Sequence, residues 1–165
     1  MCPLVLVPDQ SLQLLIQEAN RQPESETEWA AARKIADLLD GLPLALEMAG
    51  AYLARRPVGW QDYLDLLQHN LKHAFTGKLA SLTNHKADLY LTLQVSASVF
   101  SEEPRLKDTL NVLTWSATAP MSADLLVKLL GVENRSELTG ALGLGTALRL
   151  LQQTHDTDAY AIHRL

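Results

Sequence analysis

The sequence predicts a mainly α-helical protein, a small helical bundle followed by a winged-helix domain with a short terminal β-hairpin. Three observations predict it. Apolar stripes with helical spacing recur from Ser11 to Leu71 and are separated by short polar or Pro/Gly breaks. A polar, weakly periodic stretch, "KHAFTGKLASLTNHK", divides that part from a second set of helical stripes. The end of the chain, "LLQQTHDTDAYAIHRL", reads as two short strands around a polar turn at His155 to Asp158. The expected modules are residues 1–75 and 86–165.

In the first module, "LVLV" between Pro3 and Pro8 reads as a buried strand or an extended connector, because it is apolar, short and bounded by prolines. From Ser11, the residues Leu12, Leu15, Ile16 and Ala19 form one helical face ending near Asn20. Ser25 and Glu28 have capping-box spacing, and Trp29, Ala32, Ala36 and Leu39 give a second helix that closes at Gly41. A third starts at Pro43 and runs to about Ala54. After "RRPVG", the residues Trp60, Tyr63, Leu64, Leu67 and Leu71 share the inner face of a fourth.

In the second module, "DLYLTLQVSASVF" fits either a strand or a helix, and its length favours the helix. Leu106, Leu110, Leu113 and Ala117 mark the next helix, from Glu103 to about Ser116. Ser122 opens a short one that stops at Gly131. "NRSELTGALGLGTALRL" places Ala141, Leu144, Leu148 and Leu151 at helical spacing, with Gly140, Gly143 and Ala147 as a small-residue face that another backbone could approach.

Composition excludes several functions. The chain has 165 residues, 47% of them hydrophobic, and a formal charge of −5. Net acidity argues against a nucleic-acid partner, since phosphate affinity comes mainly from Lys and Arg. The single cysteine, Cys2, excludes an internal disulfide and a cysteine-based zinc site, and the expected compartment is the cytoplasm. No apolar run approaches the ~20 residues of a membrane span, and no secretory signal opens the chain.

Catalytic motifs fail on spacing. "TGKLAS" has Gly77 and Lys78, but Lys72 stands where a phosphate loop needs its first Gly, and Leu79 where it needs Ser or Thr. "GALGLGT" lacks the G-x-G-x-x-G order of a dinucleotide loop. His69 and His73 have i, i+4 spacing but no third ligand nearby, so no metal site is expected. Glu47 and the pair Asp62 and Asp65 have no nucleophile beside them and read as solvated helix faces. Trp29, Trp60 and Trp115 all fall on apolar stripes and read as core anchors. No catalytic residue is expected.

"DGLPLALEMAG" is different. Asp40 ends a helix, Gly41 supplies a left-handed cap, Leu42 is held extended by the following proline, and Pro43 sets the first turn of the next helix. Free N–H groups at that start favour an acceptor or an anion.

"IADLLDGLPLALEMAGAYLA", Ile35 to Ala54, resembles the helical (ARC) segment that follows the nucleotide-binding core in NB-ARC proteins of the STAND class of signalling NTPases. The resemblance implies that Pro43 lies near the adenine of ADP or ATP and that Gly41 and Leu42 shape that contact. "YAIHRL", Tyr160 to Leu165, is similar to the strand closing the family's winged helix, where a histidine touches the terminal phosphate of ADP; here that would be His163. Relatives in plants and animals usually have Met-His-Asp, whereas Ile162, His163 and Arg164 look like bacterial and fungal members that carry tetratricopeptide repeats.

The phosphate loop, magnesium-binding strand and sensor arginine of such a protein would precede this chain, and its repeats would follow. The expected partners are therefore those missing parts of the same parent. The resemblance implies a regulatory fragment of an ADP/ATP-dependent signal-transduction switch that is not itself an enzyme and holds no nucleotide alone, although the intact parent would be a STAND-type ATPase. Two other classes compete with it. One is a DNA-binding winged-helix transcription regulator, opposed by a candidate recognition helix, about Arg135 to Leu150, with basic residues only at its ends. The other is a stand-alone protein–protein interaction module.

Overall fold

A computed structural model describes residues 5–75, 103–115, 119–154 and 158–162. The chain divides into two units, residues 1–97 and 98–165. Residues 72–75, the start of the polar stretch expected as a boundary, continue a helix, whereas its remainder to residue 86, including "TGKLAS", the ambiguous "DLYLTLQVSASVF" and Ala117 lie outside the described residues. The described part is mainly helical with one small antiparallel sheet.

The first unit contains α1 (Pro8–Ala19), α2 (Glu26–Leu38), α3 (Pro43–Arg55) and α4 (Trp60–Phe75). Pro8 at the first helical position starts α1 three residues ahead of the expected Ser11, because a proline there loses no needed N–H. The connector before it is extended, but Val5 and Val7 are exposed, so "LVLV" is not a buried strand. Ser25 accepts from the Glu28 N–H at 3.2 Å, and the Glu28 carboxylate accepts from the Glu24 N–H at 2.8 Å, which fixes the start of α2.

Ala31, Ala32, Ile35, Ala36 and Leu39 are buried on α2, while Trp29 is only half-buried. Small residues let the helices approach closely: at Gly50, α3 lies against the α1 backbone at Glu18 and Ala19. Trp60, Tyr63, Leu64 and Leu67 of α4 are buried, as their spacing requires. The Arg21 guanidinium stands 5.5 Å from the Trp60 ring centroid and donates to the Val58 carbonyl. The Tyr52 and Tyr63 rings pack at a tilt of 40° with centroids 5.3 Å apart.

The second unit runs α5 (Pro104–Trp115), β1 (Met121–Ser122), α6 (Ala123–Leu130), α7 (Ser136–Ala147), β2 (Leu151–Thr154) and β3 (Ala159–Ile162). The strands form an antiparallel sheet in the order β1-β3-β2, with Met121 opposite Tyr160 and Leu151 opposite Ile162. Ser122 also caps α6 by accepting from the Leu125 N–H at 3.3 Å, and Gly131 ends that helix at φ 63.

Leu106, Thr109 and Leu113 form the buried face of α5. Trp115, expected in the core, is instead 89% exposed. Two residues past Leu113, it points about 200° around the helix from that face. α7 ends at Ala147 rather than near Leu150, because Arg149 turns left-handed at φ 59 and releases Leu151 into β2. Its close approach is at Gly145, where an added Cβ would lie 2.6 Å from Leu151 Cδ1 and 2.9 Å from Leu106 Cδ1. Gly143 faces open space, and Gly140 faces the Glu103 carboxylate. Among the described residues no helix is long and apolar enough to cross a membrane.

Candidate functional site

The corner between α2 and α3 is built by a reversal of backbone sign. Both Asp40, at φ 48, and Gly41, at φ 65, are left-handed, and the Leu42 N–H donates to the Leu39 carbonyl at 3.0 Å. Two successive positive φ values closed by an i to i+3 bond are those of an Asp-Gly tight turn. The expected single left-handed cap at Gly41 is thus a two-residue turn, because Asp tolerates this region better than most side chains.

Leu42 then returns to extended backbone at φ −72, ψ 114, and Pro43 opens α3. The Leu46 N–H donates to the Leu42 carbonyl at 3.0 Å, while the Leu42 side chain makes no capping bond. Pro43 has no N–H, so Leu44 and Ala45 carry the first-turn donors that lack an intrahelical acceptor. The first turn contains no acidic residue to offset the helix dipole.

The three corner residues expected to meet a ligand are not equivalent. Gly41 is buried, whereas Leu42 and Pro43 are half-buried. The Gly41 carbonyl accepts from the Leu6 N–H at 2.9 Å, and a Cβ on Gly41 would lie 2.5 Å from the Leu6 carbonyl oxygen. The connector therefore occupies the side of the corner that the missing side chain opens. Leu42 and Pro43 stay partly accessible at the corner, and Gly41 does not. His163, the expected phosphate contact, lies outside the described residues.

The other sequence candidates are separate from this corner in the chain. His69 is exposed on α4, and Glu47 is half-buried on α3. Asp62 accepts from the Gly59 N–H at 3.3 Å at the start of α4, and Asp65 accepts from Gln61 Nε2 at 3.0 Å. Both carboxylates serve local helix structure. Among the described residues no three His, Cys, Asp or Glu side chains gather as a metal would need.

Residue spacing does not reveal the cluster around Asp158. Its carboxylate pairs with Arg135, accepts from Gln153 Nε2 at 3.2 Å and lies 3.4 Å from the Tyr160 hydroxyl, which donates to it. Burial, and then the Asp158 charge, push the Tyr160 phenol above its ordinary value. This cluster ties the start of α7 to the sheet and consumes Arg135, one of the two cations expected on that helix. The "-D-A-Y-" alternation at the start of β3 is the only sequence signal for it. No protein-family model, curated protein or solved structure matches the chain.

Proposed function

We propose that this chain is the regulatory portion of a nucleotide-dependent signal-transduction switch of the NB-ARC type. Its first unit serves as the ARC-like helical bundle and its second as the winged helix. One observation carries the reading: the Asp40–Pro43 corner presents half-buried apolar residues beside an uncapped helix start. Support for the winged-helix reading comes from the order α5, β1, α6, α7, β2, β3 and the sheet order β1-β3-β2.

In such a switch Leu42 and Pro43 pack against the base of ADP or ATP, and His163 donates to a phosphate oxygen in the ADP state. Charge-assisted bonds of that kind contribute about 1.5–3 kcal/mol, enough to bias a two-state equilibrium when they exist in one state only. The chain contributes contacts and autoinhibitory packing, and hydrolysis belongs to the phosphate-binding core of the parent. One base contact and one phosphate contact give the isolated chain no detectable ADP affinity at micromolar concentration. Titration with ADP, followed by amide chemical shifts, is expected to perturb Leu42, Leu44, Ala45 and His163, without saturation below the millimolar range. Saturable micromolar binding, or shifts confined to other elements, would refute the reading.

The interaction-module reading has one observation in its favour, the exposure of Trp115, Leu125 and Leu129 in the second unit. The DNA-binding reading has none. On α7, Arg135 is paired with Asp158, and Glu137 adds negative charge where a recognition helix would meet phosphates.

A further inference from the structure

Residues 5–7 are tied down on two sides. The Leu6 N–H donates to the Gly41 carbonyl at 2.9 Å. The Ser11 hydroxyl, on a residue only 1% exposed, lies 3.1 Å from the Val7 carbonyl and 3.4 Å from that of Leu6, and donates to them. Absence of a Cβ at Gly41 admits the Leu6 carbonyl and Val5 Cγ1, which would stand 2.5 and 3.0 Å from such an atom. Asp40, beside it, holds φ 48, a left-handed conformation that Asp tolerates in a tight turn.

We propose that residues 5–7 form a latch on the α2–α3 corner. Closed, the latch holds the Asp40–Gly41 turn left-handed and keeps Gly41 from any ligand. Open, it frees the Gly41 carbonyl and the space at the Gly41 Cα, so the connector no longer holds the Asp40–Gly41 turn or the start of α3. The connector and the corner thus change conformation together, so displacement of the connector is felt at Leu42 and Pro43. The latch goes beyond the nucleotide reading and concerns the corner whatever occupies it. One consequence rests on that reading: with the latch closed, a base meets Leu42 and Pro43 alone.

Amide hydrogen exchange on the 165-residue chain, without nucleotide, tests the latch. The Leu6 amide is expected to exchange at least about tenfold more slowly than an unpaired one. Gly41→Ala is expected to return it to the unprotected rate and to shift the amide resonances of Asp40 and Leu42. Ser11→Ala, which leaves Gly41 and the helical bonds of α1 in place, is expected to speed Leu6 exchange several-fold and to shift the same corner resonances by less. Leu64 and Leu67 should stay protected in Ser11→Ala. Should Gly41→Ala unfold the first unit, Ser11→Ala decides. An unprotected Leu6 amide in the parent chain, or corner resonances that stay fixed while Leu6 is freed, would overturn the latch. Neither outcome bears on the ADP titration.

Discussion

Replacing Gly50 with alanine puts a methyl group where α1 meets α3. Considered alone, the change favours the helix, since Ala exceeds Gly by about 1 kcal/mol in a helix interior. Packing opposes it. The new Cβ would lie 3.0 Å from both the Ala19 nitrogen and the Glu18 carbonyl carbon, and nearer still to Glu18 Cβ, where ordinary contact begins at 3.4 Å. None of these atoms is the free end of a flexible side chain, so one helix must move as a body. Overpacking costs about 1–3 kcal/mol, and rigid neighbours place this site at the upper end. The net expectation is a loss of about 2 kcal/mol. With a urea slope of about 1.5 kcal/mol per molar, the midpoint of the first unit falls by roughly 1 M. The assay is urea unfolding followed by tryptophan fluorescence in a Trp115→Phe background, so that Trp29 and the buried Trp60 report the first unit. Gly143→Ala is the control, because nothing lies within 4 Å of its Cβ, and it should leave this midpoint unchanged. A Gly50→Ala midpoint equal to or above that of the parent refutes the packing argument.

Ser25→Ala removes the acceptor of the Glu28 N–H and is expected to destabilise the first unit by about 1 kcal/mol, read as a loss of roughly 4–8 °C in Tm. Tyr63→Phe is expected to raise stability by about 1 kcal/mol, because among the described residues the buried Tyr63 hydroxyl has no hydrogen-bond partner. The same residue sets a pH dependence. Burial, with a smaller contribution from Tyr52, raises the Tyr63 phenol above its ordinary value of 10.0. Above that pH the unfolded chain releases the proton while the folded chain keeps it, so stability falls with rising pH by about 1.4 kcal/mol per unit. Urea midpoints of the first unit at pH 9 and 11 should converge in Tyr63→Phe relative to the parent; an equal decline in both would dismiss the assignment.

Elements whose cause is local were legible in the sequence. Ser25 with Glu28, Ser122 with Gly131, and Pro43 each mark a helix boundary through their own backbone needs, and the structure places boundaries there. Elements whose cause lies elsewhere in the chain were not. β1 is two residues long, too short to show alternation, and exists because Met121 and Ser122 pair with β3. Gly145 lies outside the expected small-residue face of Gly140, Gly143 and Ala147, because its need for no side chain comes from Leu106 and Leu151, which close over it. Trp115 was misplaced because an apolar residue at a helix end was assigned to a stripe that its angle does not share. At the candidate site the turn was visible and the burial of Gly41 was not, since that depends on a connector more than 30 residues earlier.

That separation changes what the corner residues can be asked to explain. Gly41 is required twice by the fold, for its positive φ and for the approach of Leu6, so its presence says nothing about a ligand. Pro43 is likewise accounted for by the start of α3. Leu42 is not. At an N-cap, Ser, Thr, Asp or Asn would stabilise the helix by about 1 kcal/mol, yet Leu42 offers no acceptor. Elsewhere in the first unit the dipole is answered: α1 has Asp9 in its first turn, α2 has Glu26 and Glu28, and α4 has Asp62. Among the described helices of that unit only α3 starts with neither cap nor acid, and it does so where Ala45 is fully buried and solvent cannot easily substitute. A helix start without a side-chain cap among the described residues, against the pattern of its neighbours, carries a local cost. An acceptor supplied from outside these residues, held beside an apolar group on Leu42 and Pro43, would offset it.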